Sequence, residues 1–150
     1  MLYFVAVLSR ETKLLLLDEP TSGLDPVVRN EVLDILQDYI SDGERSVLFS
    51  THITSDLEKI ADYLYFIDKG ERIFNSTTEE ILENYLIVKG GREDLTVELK
   101  DKLIGYEISN IGFKGLIYSK NKNELSKELL LEKPSIDEIV VMHINGAKEN

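Results

Sequence analysis

A chain of 150 residues, 43% apolar and 30% charged, is long enough for one domain with a real core, or for one domain and a small appendage, and its composition is that of a globular protein. The formal net charge of −11 and the lack of a basic stripe argue against phosphate-backbone binding as the main task. Without a cysteine there is no disulfide framework and no thiolate metal site.

Residues 1–10 are apolar nearly all round and end on Ser9 and Arg10, a pattern that fits a buried helix or a strand. The apolar opening is too short to span a bilayer and lacks a basic leader or cleavage site. A cytosolic chain is therefore expected, with any membrane association made through a partner. Glu11-Thr12 should turn the chain into a strand over 13–17. The four consecutive leucines, Leu14 to Leu17, predict a strand buried on both faces, as in a parallel sheet.

Asp18 and Glu19 follow at once. They stand at the carboxyl end of the strand, where open α/β sheets bind ligands. Adjacent carboxylates repel each other unless a cation lies between them. A hydrated Mg²⁺ on a nucleotide would supply one, with Asp18 placed for the metal and Glu19 for the water that attacks a phosphate. An Asp-Glu pair alone is more often the start of a surface loop. The residues that follow it, Pro20-Thr21-Ser22-Gly23-Leu24-Asp25, change its meaning.

Asp25 is a good N-cap and Pro26 a good first helical residue. Val28, Val32, Ile35, Leu36 and Tyr39 then share one helical face, and Asp42-Gly43 ends the helix. Val47-Leu48-Phe49 is the next apolar strand. The order strand, helix, strand predicts a parallel pair with a right-handed crossover. That register carries His52 to the sheet edge that holds Asp18 and Glu19. A neutral imidazole there could hydrogen-bond a γ-phosphate oxygen and order the attacking water.

Ser55-Asp56-Leu57-Glu58 reads as a capping box opening a short helix through Ala61. Segments 63–68 and 71–74 flank Lys69-Gly70, a hairpin signal with a scaffold role. Thr77-Thr78-Glu79-Glu80 is a second capping box, before a helix ending near Asn84. Residues 85–88 lead to Gly90-Gly91, expected to be a linker. Beyond it, 93–103 predicts an amphipathic helix, 106–111 and 115–119 two strands, and 123–131 a short helix. Pro134-Ser135 caps a last helix over 136–144, with Glu138 completing its capping box. Its stripe is Ile136, Val140 and Met142 to Ile144. His143 has no carboxylate or second histidine at ligand spacing and is expected to be structural.

From Leu14 to Asp25 the wording resembles the Walker B and D-loop segment of ATP-binding-cassette (ABC) ATPases. Ser50-Thr51-His52 resembles their switch-histidine segment. The resemblance implies an α/β fold: a partial P-loop NTPase core with a parallel sheet over 1–84, and a small α+β extension over 85–150. It makes Asp18 the Mg²⁺ residue, Glu19 and His52 the catalytic pair, and Ser22 and Asp25 the D-loop positions of a nucleotide sandwich shared across a dimer. The implied cofactors are ATP and Mg²⁺. The implied partners are a second ATPase subunit and a transmembrane permease, with the chain on the inner face of the cell membrane. By layout, the tail resembles the extension of ATPase subunits from drug and antibiotic exporters, and residues 1–10 match the helix before Walker B.

The resemblance covers only the second half of a cassette. No glycine-rich turn ending in Gly-Lys-Ser/Thr is present to cradle phosphates, nor an adenine-stacking aromatic, a glutamine switch loop or a Leu-Ser-Gly-Gly signature. Val88-Lys89-Gly90-Gly91 has the wrong neighbours for a signature. A truncated ATPase without tight ATP binding of its own is therefore expected. Two rival readings are a non-catalytic interaction module and a soluble cassette ATPase that works outside transport.

Overall fold

The computed structural model describes residues 12–148, so the helix expected over residues 1–10 lies outside them. The chain divides into two compact units between Ile60 and Ala61. The first is built from β1 (Leu14–Asp18), α1 (Pro26–Ile40), β2 (Ser46–Ser50) and α2 (Thr54–Ile60). Its two strands pair in parallel, from Leu14 opposite Ser46 to Asp18 opposite Ser50. This is the expected α/β arrangement.

Helix α1 starts where the sequence places it. The Asp25 carboxylate accepts from the N–H groups of Val27 at 3.0 Å and Val28 at 3.2 Å, and Pro26 occupies the first turn, where its missing N–H costs nothing. The helix lays Val32, Leu36 and Tyr39 against Leu15, with Leu17, Ile40, Val47 and Ile60 packed around them. Burying a side chain such as Leu36, which is fully inaccessible, contributes roughly 1.5–3 kcal/mol. Tyr39 adds a polar anchor, its hydroxyl donating to the Thr12 carbonyl at 2.5 Å. Leu33 is buried as well, beyond the predicted face.

Two expectations fail in this unit. The parallel pair is buried on one face only: Leu14 and Leu16 of β1 and Leu48 of β2 remain 55%, 65% and 65% exposed. Side chains alternate along a strand, and the α1 cluster takes up Leu15 and Leu17 but not their neighbours. The capping box at Ser55 also fails. Helix α2 begins at Thr54, so Ser55 lies inside its first turn, and Asp56 is buried in a different network.

The second unit opens with a hairpin of β3 (Tyr63–Asp68) and β4 (Glu71–Thr77). Lys69 and Gly70 both take positive φ, 49° and 82°, as a two-residue turn matched to strand twist requires. Thr77 caps α3 (Thr78–Asn84), accepting from Glu80 N–H at 3.2 Å. A five-stranded sheet follows in the order β8-β5-β7-β6-β9. It comprises β5 (Tyr85–Gly90), β6 (Gly105–Ser109), β7 (Gly112–Tyr118), β8 (Leu130–Glu132) and β9 (Ala147–Lys148).

The expected linker is therefore a strand between two neighbours. Gly90 sits in β5 opposite Phe113. A Cβ there would lie 2.7 Å from Leu129 Cδ2 and 2.9 Å from Phe113 Cε1, so the glycine serves close packing and not chain flexibility. The amphipathic helix expected over 93–103 is also broken up, into a 3₁₀ turn at Arg92–Asp94 and a single turn α4 (Val97–Lys100). Thr96 caps α4 by accepting from Leu99 N–H. Leu95, Leu99 and Leu103 still face the core with Val88, Phe113 and Ile117, which is why the sequence shows a helical period. Where a helix was expected over 123–131, the chain forms a 3₁₀ segment, Ser119–Glu124, and then the edge strand β8.

The last helix, α5 (Ile136–Asn145), carries the expected capping box between Ser135 and Glu138. It buries Ile136, Ile139 and Met142 and packs on β6 and β7. Gly105 permits this approach, since a Cβ there would meet the Met142 carbonyl oxygen at 2.3 Å. His143 donates from Nδ1 to Ile139 O at 2.7 Å and stands edge-on to Tyr85. Both contacts fit the structural role expected of it.

Candidate functional site

The carboxyl ends of β1 and β2 bring the predicted residues together. Asp18 pairs directly with Ser50 across the ladder, and its Oδ1 accepts a hydrogen bond from the Ser50 hydroxyl. Glu19 is one residue further on, and its backbone N–H donates to Ser50 O at 3.0 Å and to Ser50 Oγ at 3.3 Å. Ser50 thus ties down both acidic positions. The sequence offered only a weak sign of this: a polar residue closing an apolar strand opposite a carboxylate.

His52 reaches Glu19, with Nδ1 2.9 Å from Oε1. An ionised carboxylate only accepts, so Nδ1 carries the proton. Nε2 is then an acceptor in the neutral ring and a second donor in the imidazolium. The imidazole is 70% exposed, so it is held by this bond and by the main chain on either side, not by burial.

Glu19 has two features that a scaffold residue would not need. Its φ is +47°, a left-handed conformation uncommon for a residue with a side chain and further disfavoured ahead of Pro20. Its Oε2 is buried without a hydrogen-bond partner among the described residues. A buried acceptor left unpaired costs about 1–3 kcal/mol. Such an oxygen fits a donor from outside the chain, such as a water molecule or a ligand.

Ser22 and Asp25 lie on the exposed turn after Glu19. The Ser22 N–H closes that turn on Glu19 O at 3.2 Å, and Asp25 caps α1. Among the described residues no group of three or more His, Asp or Glu side chains could hold a metal ion. A cation at Asp18 would therefore take most of its ligands from water and from a bound anion.

Behind this edge lies a buried network that sequence reading missed. Asp56 is 1% exposed and Thr21 fully buried. Thr21 Oγ1 donates to Asp56 Oδ2 at 2.5 Å, and Arg29 Nε donates to Asp56 Oδ1 at 2.6 Å. Arg29 Nη2 also bonds Ser55 Oγ at 2.5 Å and pairs with Asp56. A buried carboxylate needs such partners. The capping-box pattern in the sequence concealed them.

A family model described as "AAA domain, putative AbiEii toxin, Type IV TA system" matches residues 1–58. Among curated relatives, a "Putative ABC transporter ATP-binding protein" of Mycoplasma pneumoniae is 28% identical over 97% of this chain and 46% of its own length. The "Lantibiotic transport ATP-binding protein SrtF" of Streptococcus pyogenes is 36% identical over 53% of this chain and 37% of its own. The "Glutamine transport ATP-binding protein GlnQ" of Escherichia coli is 40% identical over 51% and 32%. The chain is thus related to ABC transporter ATP-binding proteins and spans less than half the length of each of these relatives.

Proposed function

We propose that this chain, a relative of ABC transporter ATP-binding proteins, carries the hydrolytic edge of an ATP-hydrolysing transporter subunit. Its cassette part covers residues 1–84 and its extension residues 85–150. The supporting observation is the Glu19–His52 contact at the carboxyl end of a parallel strand, with Glu19 Oε2 lacking a donor among the described residues. MgATP supplies the electrophilic γ-phosphate when bound. Glu19 takes the proton of the attacking water, and Oε2 is the atom that meets it. The His52 ring, donating from Nδ1 to Glu19, would contact a γ-phosphate oxygen through its other ring nitrogen. Asp18, held by the Ser50 hydroxyl, would hold Mg²⁺ through water, and the ion would supply charge stabilisation on the phosphates. Ser22 and Asp25 on the exposed turn face a second ATPase subunit.

Partners and location follow from the same reading. The relatives are named as ATP-binding proteins of transporters, and among the described residues no helix is long and apolar enough to cross a membrane. A separate permease therefore brings the chain to the inner face of the membrane. The choice of an exporter rests on the Pro134-Ser135-capped helix closing the extension and on the lantibiotic-transport relative. A cassette completed in cis with a phosphate-loop half is the test. MgATP hydrolysis that neither half shows alone supports the reading, and a completed cassette that binds MgATP without hydrolysing it overturns it.

A second reading, a non-catalytic docking module, draws on the uncovered face of Leu14, Leu16 and Leu48. Contiguous exposed apolar surface of this kind marks interaction sites. The same hydrolysis assay separates the two.

A further inference from the structure

We infer that Asp56 is a positioning residue, and that its buried bonds hold His52 against Glu19. The reasoning starts from where its partners lie in the chain. Thr21 is two residues after Glu19, and Asp56 is four residues after His52. The bond between Thr21 and Asp56 therefore ties together the two segments that carry the candidate base and the histidine. Arg29, on the second turn of α1, bonds the other Asp56 oxygen and Ser55, so the brace is anchored on a helix that is itself packed against β1.

Neither functional residue is held in place by its own packing. The His52 ring is mostly exposed, and Glu19 adopts a left-handed backbone that persists only where the surroundings over-determine it. On one side of Glu19, Ser50 fixes its N–H. On the other, the turn is closed by Ser22 N–H on Glu19 O and Leu24 N–H on Thr21 O, and the Thr21 side chain is fastened to Asp56. On the histidine side, Asp56 N–H returns to Ile53 O at 3.1 Å and Ile53 N–H to Thr51 Oγ1 at 3.0 Å. Thus the position of Asp56 sets the path of residues 51–54. A buried ion pair is weak evidence for stability, whereas a brace between two strand-end loops supplies the orientation that paired catalytic groups need. The inference rests on the proposed reading only in calling Glu19 and His52 a catalytic pair.

Imidazole ¹⁵N spectra of the full 150-residue chain, without nucleotide and above the pH at which the rings titrate, provide the test. The chain has two histidines, and His143, in the other unit and bonded to Ile139 O, is an internal control. Wild-type His52 is expected in the Nδ1–H tautomer that donates to Glu19. The Glu19→Ala variant removes the acceptor and defines complete loss of that signature. Asp56→Asn and Thr21→Val are expected to lose it too, with His52 moving to the Nε2–H form while His143 is unchanged.

If His52 keeps its wild-type tautomer in both variants while they stay folded, Asp56 is merely a structural ion pair and the inference is overturned. A wild-type His52 already in the Nε2–H form overturns it as well. Should Asp56→Asn unfold the first unit, as loss of the dispersed amide signals of β1 and β2 would reveal, Thr21→Val decides alone, because it removes one hydroxyl donor and keeps shape and charge. Failure of the ATPase reading would appear only in the hydrolysis assay and would leave these spectra as they are.

Discussion

Replacing Glu19 with glycine should stabilise the fold while removing the group proposed to do the chemistry. Glu19 holds φ at +47°, and left-handed backbone costs a side-chain-bearing residue roughly 1–2 kcal/mol. Its buried Oε2 has no partner among the described residues, which costs about 1–3 kcal/mol. Glycine relieves both. Against this stand the lost contact to His52, worth about 0–1 kcal/mol for a pair this exposed to solvent, and the extra freedom of glycine in the unfolded chain, about 0.5–1 kcal/mol.

The balance is a stabilisation of about 0–4 kcal/mol, centred on ~2 kcal/mol, read by urea unfolding as a midpoint rise on the order of 1 M at unchanged slope. Glu19→Ala separates the two contributions, since alanine removes the orphaned oxygen but keeps the backbone strain. It should gain less than glycine. A lower midpoint for Glu19→Gly at unchanged slope would refute the reasoning. Glu19 would then be an ordinary turn residue and not one whose conformation is maintained for function.

Other changes have equally definite outcomes. Asp25→Ala removes the acceptor for two N–H groups of α1 and should lower stability by about 1 kcal/mol, measured by urea unfolding followed by circular dichroism. Gly90→Ala forces a Cβ into Leu129 and Phe113. It should cost about 1–3 kcal/mol, with the loss of protection seen by amide exchange in β5 and β7. The Tyr85 hydroxyl is pushed up to about 12 by burial and then by Tyr118. Its neutral form is favoured in the folded state, so this contribution to stability is intact below pH ~10, the ordinary tyrosine value, and is lost as pH rises towards 12. Alkaline unfolding of the second unit, followed by phenolate absorbance, should therefore be weaker in Tyr85→Phe.

The placement of the candidate residues was largely legible in the sequence because its geometry follows from one short strand–helix–strand unit. Leu14 to Leu17 and Val47 to Phe49 fix the two strands, Asp25-Pro26 fixes the helix start, and parallel register does the rest, bringing Asp18, Glu19 and His52 to one edge. Ser50 and the Thr21–Asp56–Arg29 network were not legible. Their partners are far apart in sequence, and a buried ion pair has no period or spacing to announce it.

The second unit was misread for a different reason. Leu95, Leu99 and Leu103 recur at helical spacing, yet Asp94 bonding back to Gly91 N–H at 2.7 Å and Thr96 capping α4 cut the segment into short turns. Gly90-Gly91 carries the composition of a linker, but the first of the pair is small because Phe113 and Leu129 crowd it. Local side-chain bonds to the backbone decided the first case, and tertiary packing, which local pattern does not encode, the second.

The central claim, that Glu19 is the general base, is tested most directly by single-turnover ATP hydrolysis in a completed cassette carrying Glu19→Gln. Glutamine keeps the size and can still accept from His52, but it cannot take a proton. It also removes a negative charge facing the triphosphate. Nucleotide affinity should therefore hold or tighten while the rate falls by ~10²–10⁴, the usual contribution of a positioned base. Hydrolysis within a few-fold of the parent would contradict the account and leave His52 as the next candidate for the base.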